Sequence, residues 1–271
     1  MSLIAAGVMA IVRQDLLVVR REAERLAADG AMEGAMWTAA SRLLEATDQA
    51  ALVQVATSGT DIIVGSVTVR TRVRLESAKL DLNLADEEQF TAVLRAAGAG
   101  DGQAKALAAA IADWRDPDDE VRNGGAEREQ YAAQGHQDMP PNRPFLDVSE
   151  LQAVTGMPPQ LYACLRPYLT LYTDGLRADA ADLMPMLREA FQSPTGATMG
   201  SVSAALPRRA ALAIETRIAD GDGTDRYARQ WIIRLTDRRV RPIEILDRRD
   251  LGPIETAAEA ACPPGLSPVR P

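Results

Sequence analysis

One stretch of the sequence concentrates carboxylates around a bend in the chain. Residues 111–131 read IADWRDPDDEVRNGGAEREQY, and the acidic positions after the bend begins are Asp116, Asp118, Asp119, Glu120, Glu127 and Glu129. Calcium and similar hard cations take about six to eight oxygen ligands from carboxylates and carbonyls on irregular loops of this kind. The spacing is not that of an EF-hand, because no glycine stands at the position that an EF-hand loop requires. The stretch therefore predicts either a divalent-cation site or a solvated acidic loop.

The composition of the chain argues against several other kinds of functional site. The chain has 271 residues, of which 46% are hydrophobic, and this is enough apolar material for a folded core. It contains a single histidine, His136, so a catalytic triad or a histidine-based zinc site is nearly excluded. A net charge of −8 and a pI near 4.9 disfavour a nucleic-acid partner, whose phosphates attract clustered lysine and arginine.

Two cysteines, Cys164 and Cys262, are too far apart in the sequence to form a metal-binding motif. They form either one disulfide bond, which needs an oxidising compartment, or a buried thiol in a helix plus a thiol in the tail. The sequence leaves both alternatives open.

The first of the elements that position these residues is a long helix. MSLIAAGVMAIV is nearly all apolar, and apolar residues then recur at steps of three and four positions. We predict a continuous helix from near Ser2 to near Leu44, with its lower half packed on a sheet through Leu26, Trp37 and Leu44. The apolar run is shorter than the roughly 20 residues that cross a bilayer, and no signal-peptide cleavage pattern follows it. The segment is therefore either a coiled-coil arm or the lower part of a membrane helix.

Two regions alternate with a period of two and therefore predict strands. The first covers residues 51–82, with residues 58–61 as an internal turn. The second covers residues 210–246, with residues 220–223 as a hairpin turn and Val240 in a later strand. These regions flank a helical stretch, which is typical of a sheet that receives an insertion.

Between the strand regions, residues 85–172 follow a helical pattern that an irregular section at residues 116–144 interrupts. Asn83 or Asp86 is expected to cap the first helix through a side-chain oxygen.

The end of this block, residues 145–172, predicts a helix-hairpin-helix unit. Ser149 is expected to cap its first short helix, and the Pro158-Pro159 pair to open the second. Such units also bind DNA backbones, but residues 81–172 carry fifteen acidic and seven basic side chains. This balance of charge favours a packing unit over a phosphate-binding one.

The order of elements predicts an α+β fold with an all-helical insertion. We expect residues 1–46 to form the N-terminal helix and residues 47–80 and 194–252 to form the antiparallel sheet domain. The inserted α-helical domain is expected at residues 81–193, followed by a disordered tail at residues 253–271.

The helical block contains three segments that belong together, LNLADEEQFTAVLRAAG, AKALAAAIADWRDPDDEVRNGGAEREQY and NRPFLDVSELQAVTGMPPQLYACLRPYLTLY. They resemble the minor pseudopilin of the K class of the type II secretion system (general secretion pathway protein K). The segment AADGAMEGAMWTAASRLL is similar to the helix that follows the membrane span in this family. The resemblance covers roughly residues 5–175 and weakens after Asp174, where GLRADAADLMPMLREAF preserves only a helix.

The resemblance implies a pilin-like long helix packed on a small antiparallel sheet, with a large helix-hairpin-helix or SAM-like domain inserted. It implies a place at the tip of the secretion pseudopilus, which the protein helps to initiate or cap together with the I- and J-class minor pseudopilins and other secretion components. The globular part would lie in the bacterial periplasm, with a single-pass anchor in the inner membrane through the N-terminal helix. Because the family binds calcium in its helical domain, we expect calcium ligands at Asp116, Asp118, Asp119 and Glu127.

The chain departs from the family in lacking a prepilin-peptidase site, and we expect it to start inside the family's membrane helix. The alternative function is a helix-hairpin-helix DNA-binding or DNA-uptake protein, against which the acidic charge argues. An enzyme that uses the acidic cluster for metal-assisted hydrolysis would need further catalytic groups, which the sequence does not offer. We therefore expect a structural protein rather than an enzyme.

Overall fold

The structure, a computed structural model, describes residues 2–45, 59–176, 183–192, 210–221, 223–236, 238 and 240–251, with side chains of the first helix from Arg13 onward. The α-helices are α1 Ser2–Glu45, α2 Glu87–Ala96, α3 Asp101–Arg115, α4 Arg128–Ala133, α5 Pro159–Leu165 and α6 Pro185–Gln192. The strands are β1 Gly59–Val64, β2 Val67–Leu75, β3 Leu80–Asp81, β4 Leu169–Thr170, β5 Ala211–Ala219, β6 Asp225–Leu235 and β7 Ile243–Asp250. Short 3-10 helices cover Glu76–Ala78, Val148–Ala153 and Arg166–Tyr168.

Helices and an antiparallel sheet are both present, which confirms the predicted α+β class. The chain divides into two compact units. The sheet unit consists of the described parts of Met1–Val73, Ala213–Ile233 and Pro242–Pro253, and the helical unit of those of Arg74–Leu212, Arg234–Arg241 and Ile254–Pro271. The tail predicted at residues 253–271 lies outside the described residues, as do residues 51–58 of the first strand region.

The sheet has five strands in the order β1-β2-β5-β6-β7. β1 and β2 form an antiparallel hairpin that closes at the pair Val64 and Val67. Gly65 makes the turn, and its φ of 61° lies in the left-handed region that glycine enters without a steric penalty. The turn predicted at residues 58–61 was wrong, because β1 already begins at Gly59 and pairs from there with β2.

At the other edge of the sheet, β7 begins at Ile243, which corrects the placement of Val240 in a strand. Val240 is 92% exposed, and Pro242 has no N–H to donate to a strand ladder. The turn predicted before β6 is confirmed, with Gly223 N donating to Asp220 O at 2.9 Å.

The helix α1 runs unbroken from Ser2 to Glu45, as predicted. Its buried side consists of small or flexible residues, namely Ala28, Ala31, Met32, Ala35, Met36, Ala39, Ala40 and Leu43. A Cβ added to Gly34 would lie 3.3 Å from Val64 Cγ1, so the helix approaches β1 closely. Small side chains permit this approach because they let two backbones come near each other without a clash.

The prediction that α1 packs through Leu26, Trp37 and Leu44 was wrong, since these side chains are 63%, 44% and 42% exposed. At about 100° per residue, they lie within about 20° of one another and of Val19, on the side opposite the buried alanines and methionines. Val19 is 65% exposed. We call Val19, Leu26, Trp37 and Leu44 the α1 stripe. The same helical spacing fits either side of α1, and the small residues decide which side packs.

Two ion pairs join the polar positions of α1 to β6. Arg229 Nη2 lies 2.9 Å from Asp29 Oδ1, and Arg226 Nη2 lies 3.2 Å from Glu24 Oε2. The first pair is the stronger orienting contact because the Arg229 side chain is only 6% exposed. Among the described helices, none is both long enough and apolar enough to cross a membrane.

The helical unit begins with a capped helix, which confirms one of two predicted caps. Asp86 Oδ1 accepts from Gln89 N at 2.8 Å, and Asp86 N donates to Gln89 Oε1 at 3.1 Å, so the two residues form a capping box. Asn83 has a different function. Its amide donates to Phe145 O at 3.0 Å and accepts from Phe145 N at 2.8 Å, which ties the start of the unit to a distant loop.

The helix-hairpin-helix unit is present, with a 3-10 helix as its first element. Asp147 caps this helix by accepting from Ser149 N at 2.7 Å, which corrects the expectation that Ser149 is the cap. Gly156 makes the following turn with a φ of 83°, and α5 opens at Pro159 as predicted. The irregular section also contains α4, a short helix that the sequence pattern did not reveal.

Cys164 on α5 is 1% exposed and disulfide-bonded. The other cysteine of the sequence is Cys262, which lies outside the described residues. We expect thiol titration of the denatured protein to find no free thiol before reduction and two after it, because the chain holds two cysteines. Free thiol in the unreduced protein would contradict this expectation. A disulfide-linked dimer on a non-reducing gel would show instead that the bond joins two chains.

Candidate metal centre

The acidic loop connects the end of α3 to the start of α4. Asp116 follows α3 as its C-cap, and its N–H donates to Ala112 O at 3.2 Å. Glu127 precedes α4 as its N-cap, and its N–H donates to Gln130 Oε1 at 2.9 Å. The loop is therefore held at both ends by helix termini, and residues eleven positions apart can approach each other.

Three of the four predicted ligands meet in space. One carboxylate oxygen from each of Asp116, Asp118 and Glu127 lies within 4.8 Å of the others. Asp119 lies outside this group, and its Oδ1 accepts from Asn142 Nδ2 at 3.0 Å and lies 3.8 Å from Arg128 Nη2. Three converging carboxylates are enough to begin the oxygen shell that a hard cation requires.

Several oxygen atoms at this place are buried without a hydrogen-bond partner. They are both carboxylate oxygens of Glu127, Asp116 Oδ1 and Asn142 Oδ1. Glu127 is only 3% exposed, and leaving a buried charged acceptor unpaired is costly. Unpaired, buried oxygens on neighbouring residues fit a bound cation, which would supply the partner that they lack.

The electrostatics at Glu127 also favour a bound cation. The pKa of Glu127 is raised to about 7, chiefly by burial and then by the negative charges of Asp113, Asp116, Asp119 and Asp118, in that order. The ionised form is therefore disfavoured in the metal-free protein, and a positive charge at the site would favour it.

Asp113 is not a predicted ligand, but its carboxylate holds the loop in place through hydrogen bonds. It is fully buried, and its Oδ2 accepts from Ala126 N at 2.9 Å and from Arg122 N at 3.3 Å. A Cβ added to Gly125 would lie 2.0 Å from this oxygen, so only glycine lets the loop pass so close to the carboxylate. An aspartate on an otherwise apolar face of α3 was the sequence signal that could have revealed this contact.

Two further residues that sequence reasoning missed connect the acidic positions. Arg122 Nη1 donates to Asp113 Oδ1 at 2.8 Å and also to Asp116 Oδ2, and its Nε lies 2.9 Å from Glu87 Oε1. Asn142 Nδ2 donates to Asp118 O at 2.6 Å in addition to its bond with Asp119. No short motif predicts these contacts, because they join positions six or more residues apart across an irregular loop.

An aromatic cluster supports the loop from the core. The ring of Trp114 stacks on Phe145 with centroids 5.5 Å apart and meets Tyr131 edge-on at 6.0 Å. The Tyr131 hydroxyl accepts from Thr155 N at 3.0 Å. These contacts attach the residues on both sides of the acidic loop to one apolar core.

Comparison with known proteins gives consistent matches. Residues 73–174 match the family described as type II secretion system (T2SS), protein K. The chain is 40% identical over 85 residues to type II secretion system protein K of Klebsiella pneumoniae, covering 31% of this chain and 26% of the relative. It is 40% identical over 84 residues to the protein of the same name from Dickeya chrysanthemi, covering 31% and 23%. The matched stretch thus spans about a quarter of each relative.

A solved structure shares the fold over most of the chain. It is a chain in the crystal structure of the GspK-GspI-GspJ complex from the enterotoxigenic Escherichia coli type 2 secretion system. The match has a TM-score of 0.52 at 16% identity and covers 84% of this chain and 99% of the other. The DNA-binding alternative receives no support from these matches.

The raised pKa of Glu127 predicts how the stability of the metal-free protein depends on pH. The folded-state pKa of about 7 lies above the ordinary value of 4.5, so the folded state holds the proton more tightly than the unfolded chain. In the presence of a chelator, the free energy of unfolding should therefore fall as pH rises from about 4.5 to 7. Chemical denaturation across this range measures the slope.

The variant Glu127→Gln removes the titrating group and keeps the shape of the side chain. Its unfolding free energy in chelator should change less between these pH values than that of the wild type, and it should be the more stable protein at pH 8. Equal slopes for both proteins would show that Glu127 does not carry the effect.

Proposed function

We propose that this chain is a minor pseudopilin that helps to initiate or cap the secretion pseudopilus, because its residues 73–174 match the protein K family of the type II secretion system. The match over residues 73–174 is the observation that carries the proposal. The long helix α1 and the five-stranded sheet support it, because together they have the pilin-like arrangement expected of a filament subunit. The role is structural, and protein secretion is its outcome.

We propose that the partners are the I- and J-class minor pseudopilins, with other components of the secretion system. The solved structure with the same fold is that of a complex between GspK, GspI and GspJ. In this chain, the α1 stripe offers a row of large apolar side chains that the described part of the sheet unit does not cover. Exposed apolar patches of this kind are typical of protein–protein interfaces.

The proposed location is the periplasm for the globular part and the inner membrane for the N-terminal end of α1. The support is the apolar composition of the first twelve residues and the disulfide at Cys164. Disulfide bonds persist in oxidising compartments such as the periplasm and are rare in the cytosol.

We also propose that the acidic loop binds calcium. Asp116, Asp118 and Glu127 would supply carboxylate oxygens, and Asp119 would act at the edge of the site. A bound ion would supply positive charge that offsets the repulsion between these carboxylates and would link the loop to the start of α4. The unpaired oxygens of Glu127 are the feature of the site that best supports this proposal.

The partner proposal predicts that charges on the α1 stripe block assembly. The variants Trp37→Glu and Leu44→Glu should lose binding to a purified pair of I- and J-class pseudopilins, because an interface must then bury an unpaired carboxylate. Size-exclusion chromatography with light scattering measures complex formation. The control is Leu146→Glu, which places the same charge at a side chain that is 69% exposed in the helical unit. Complexes that form equally with all three variants would contradict the proposed interface.

The calcium proposal predicts a stability response. At about a hundredfold excess over its dissociation constant, a ligand of the folded state adds about 2.7 kcal/mol, which raises the melting temperature by about 5 to 10 °C. Asp118→Asn should remove most of this rise. Asp119→Asn should keep more of it, because Asp119 lies outside the group of three converging carboxylates.

Differential scanning calorimetry of chelator-treated protein, with and without calcium, provides the measurement. If calcium does not change the melting temperature of the metal-free wild type, the calcium proposal is contradicted and the loop is a solvated acidic turn. Magnesium at the same concentration is the matched control ion, since its smaller size and stricter octahedral geometry suit this loop less well.

A further inference from the structure

Arg122 places a positive charge among the carboxylates of the acidic loop. A positive side chain beside a cation site is unexpected, because it repels the cation. Its side chain is 37% exposed, yet it contacts three acidic residues, Asp113, Asp116 and Glu87. Each of these residues belongs to a different local segment: Asp113 to the last turn of α3, Asp116 to the loop, and Glu87 to the first turn of α2. The guanidinium therefore connects three segments at one point.

The two carboxylate oxygens of Asp116 differ in their contacts, and this difference indicates what Arg122 does. Oδ2 accepts from Arg122 Nη1, whereas Oδ1 is buried without a hydrogen-bond partner. The same nitrogen of Arg122 also donates to Asp113 Oδ1 at 2.8 Å, and Asp113 is fully buried. Asp116 is thus held by one oxygen against a fixed support, and its other oxygen remains available.

We propose that Arg122 is a positioning residue that aims Asp116 Oδ1 at a divalent cation held by Asp116, Asp118 and Glu127. This inference rests on the proposed calcium site. Arg122 does not touch the cation. It fixes the orientation of a ligand through Nη1 while its Nε is held by Glu87, and an ammonium group, with one nitrogen, cannot reproduce both contacts in this geometry. Groups that orient metal ligands in this way typically change metal affinity about 10- to 100-fold when they are removed.

The direction in which calcium affinity changes when Arg122 is replaced distinguishes a positioning role from a purely electrostatic one. If Arg122 acted only through its charge, its removal would strengthen the binding of a divalent cation, because one repelling positive charge would be lost. If Arg122 positions Asp116, its removal weakens binding in spite of the gain in Coulomb attraction. Lysine at this position keeps the charge but cannot make both contacts, so the lysine variant should also bind calcium more weakly.

The experiment compares calcium binding by isothermal titration calorimetry in the full chain. Arg122→Gln and Arg122→Lys should each bind about 10- to 100-fold more weakly than the wild type. Arg128→Gln is the matched control, because Arg128 is 69% exposed and lies 3.8 Å from Asp119 without contacting Asp116. It should bind calcium as tightly as the wild type or more tightly. Binding by Arg122→Gln that equals or exceeds wild-type binding would overturn the proposal, and so would wild-type affinity in Arg122→Lys.

Terbium provides a readout that general loosening of the loop does not imitate. Terbium luminescence lifetimes in H2O and D2O count the water molecules on the bound ion, and Arg122→Gln should show about one more than the wild type, because Asp116 no longer ligates. An unchanged water count would overturn the proposal. If the wild type itself binds no calcium, the calcium proposal fails and Arg122 positions nothing, whereas wild-type binding with unaffected variants refutes the role of Arg122 alone.

A second measurement needs no variant and therefore does not depend on whether a substituted protein folds. In wild-type protein labelled with 15N-arginine, the Arg122 side-chain N–H signals should stay protected from exchange when calcium is added. Loss of protection on calcium binding would mean that the ion displaces the guanidinium, which contradicts a positioning function.

Discussion

The acidic loop depends on the burial of one carboxylate, that of Asp113. A fully buried carboxylate needs hydrogen-bond donors that compensate for the water it has lost. Asp113 obtains them from the backbone N–H groups of Ala126 and Arg122 and from the Arg122 side chain. These bonds draw the loop onto the end of α3. They also require a glycine at position 125, where any Cβ would collide with the carboxylate.

Once the loop lies against α3, its remaining carboxylates have little freedom. Glu127 is carried to the N-terminus of α4 and is buried there with both oxygens unpaired. Asp116 is kept beside it by Arg122. The arrangement is unfavourable for the metal-free protein, because like charges are held close together at a site with little solvent. Natural proteins accept such a local cost at functional sites.

In the sheet unit, the main feature is that α1 carries apolar residues on two opposite sides. One side consists of alanines and methionines and allows close packing against the sheet unit, as the short approach at Gly34 illustrates. The α1 stripe on the other side consists of larger side chains that stay exposed. A helix with two apolar sides can be buried once within its own chain and once more against a partner.

The sequence by itself determined the elements whose signals are local. The continuous length of α1, a helix cap at Asn83 or Asp86, the opening of α5 at the Pro158-Pro159 pair and the α+β class all follow from spacing and from residue chemistry within a few positions. These features were predictable because helix periodicity and capping involve neighbours in the chain.

Only the tertiary structure decided which side of α1 is buried and which acidic residues converge. Helical spacing places Leu26, Trp37 and Leu44 on one line, but the choice of the buried side depends on how closely the backbone of α1 can approach the sheet. In the acidic loop, the sequence marked a cluster, whereas the pairing of Asp116 with Glu127 and the supporting contacts of Asp113, Arg122 and Asn142 join distant positions. Such contacts depend on shape and on the satisfaction of buried polar groups in the folded chain, and no local pattern encodes them.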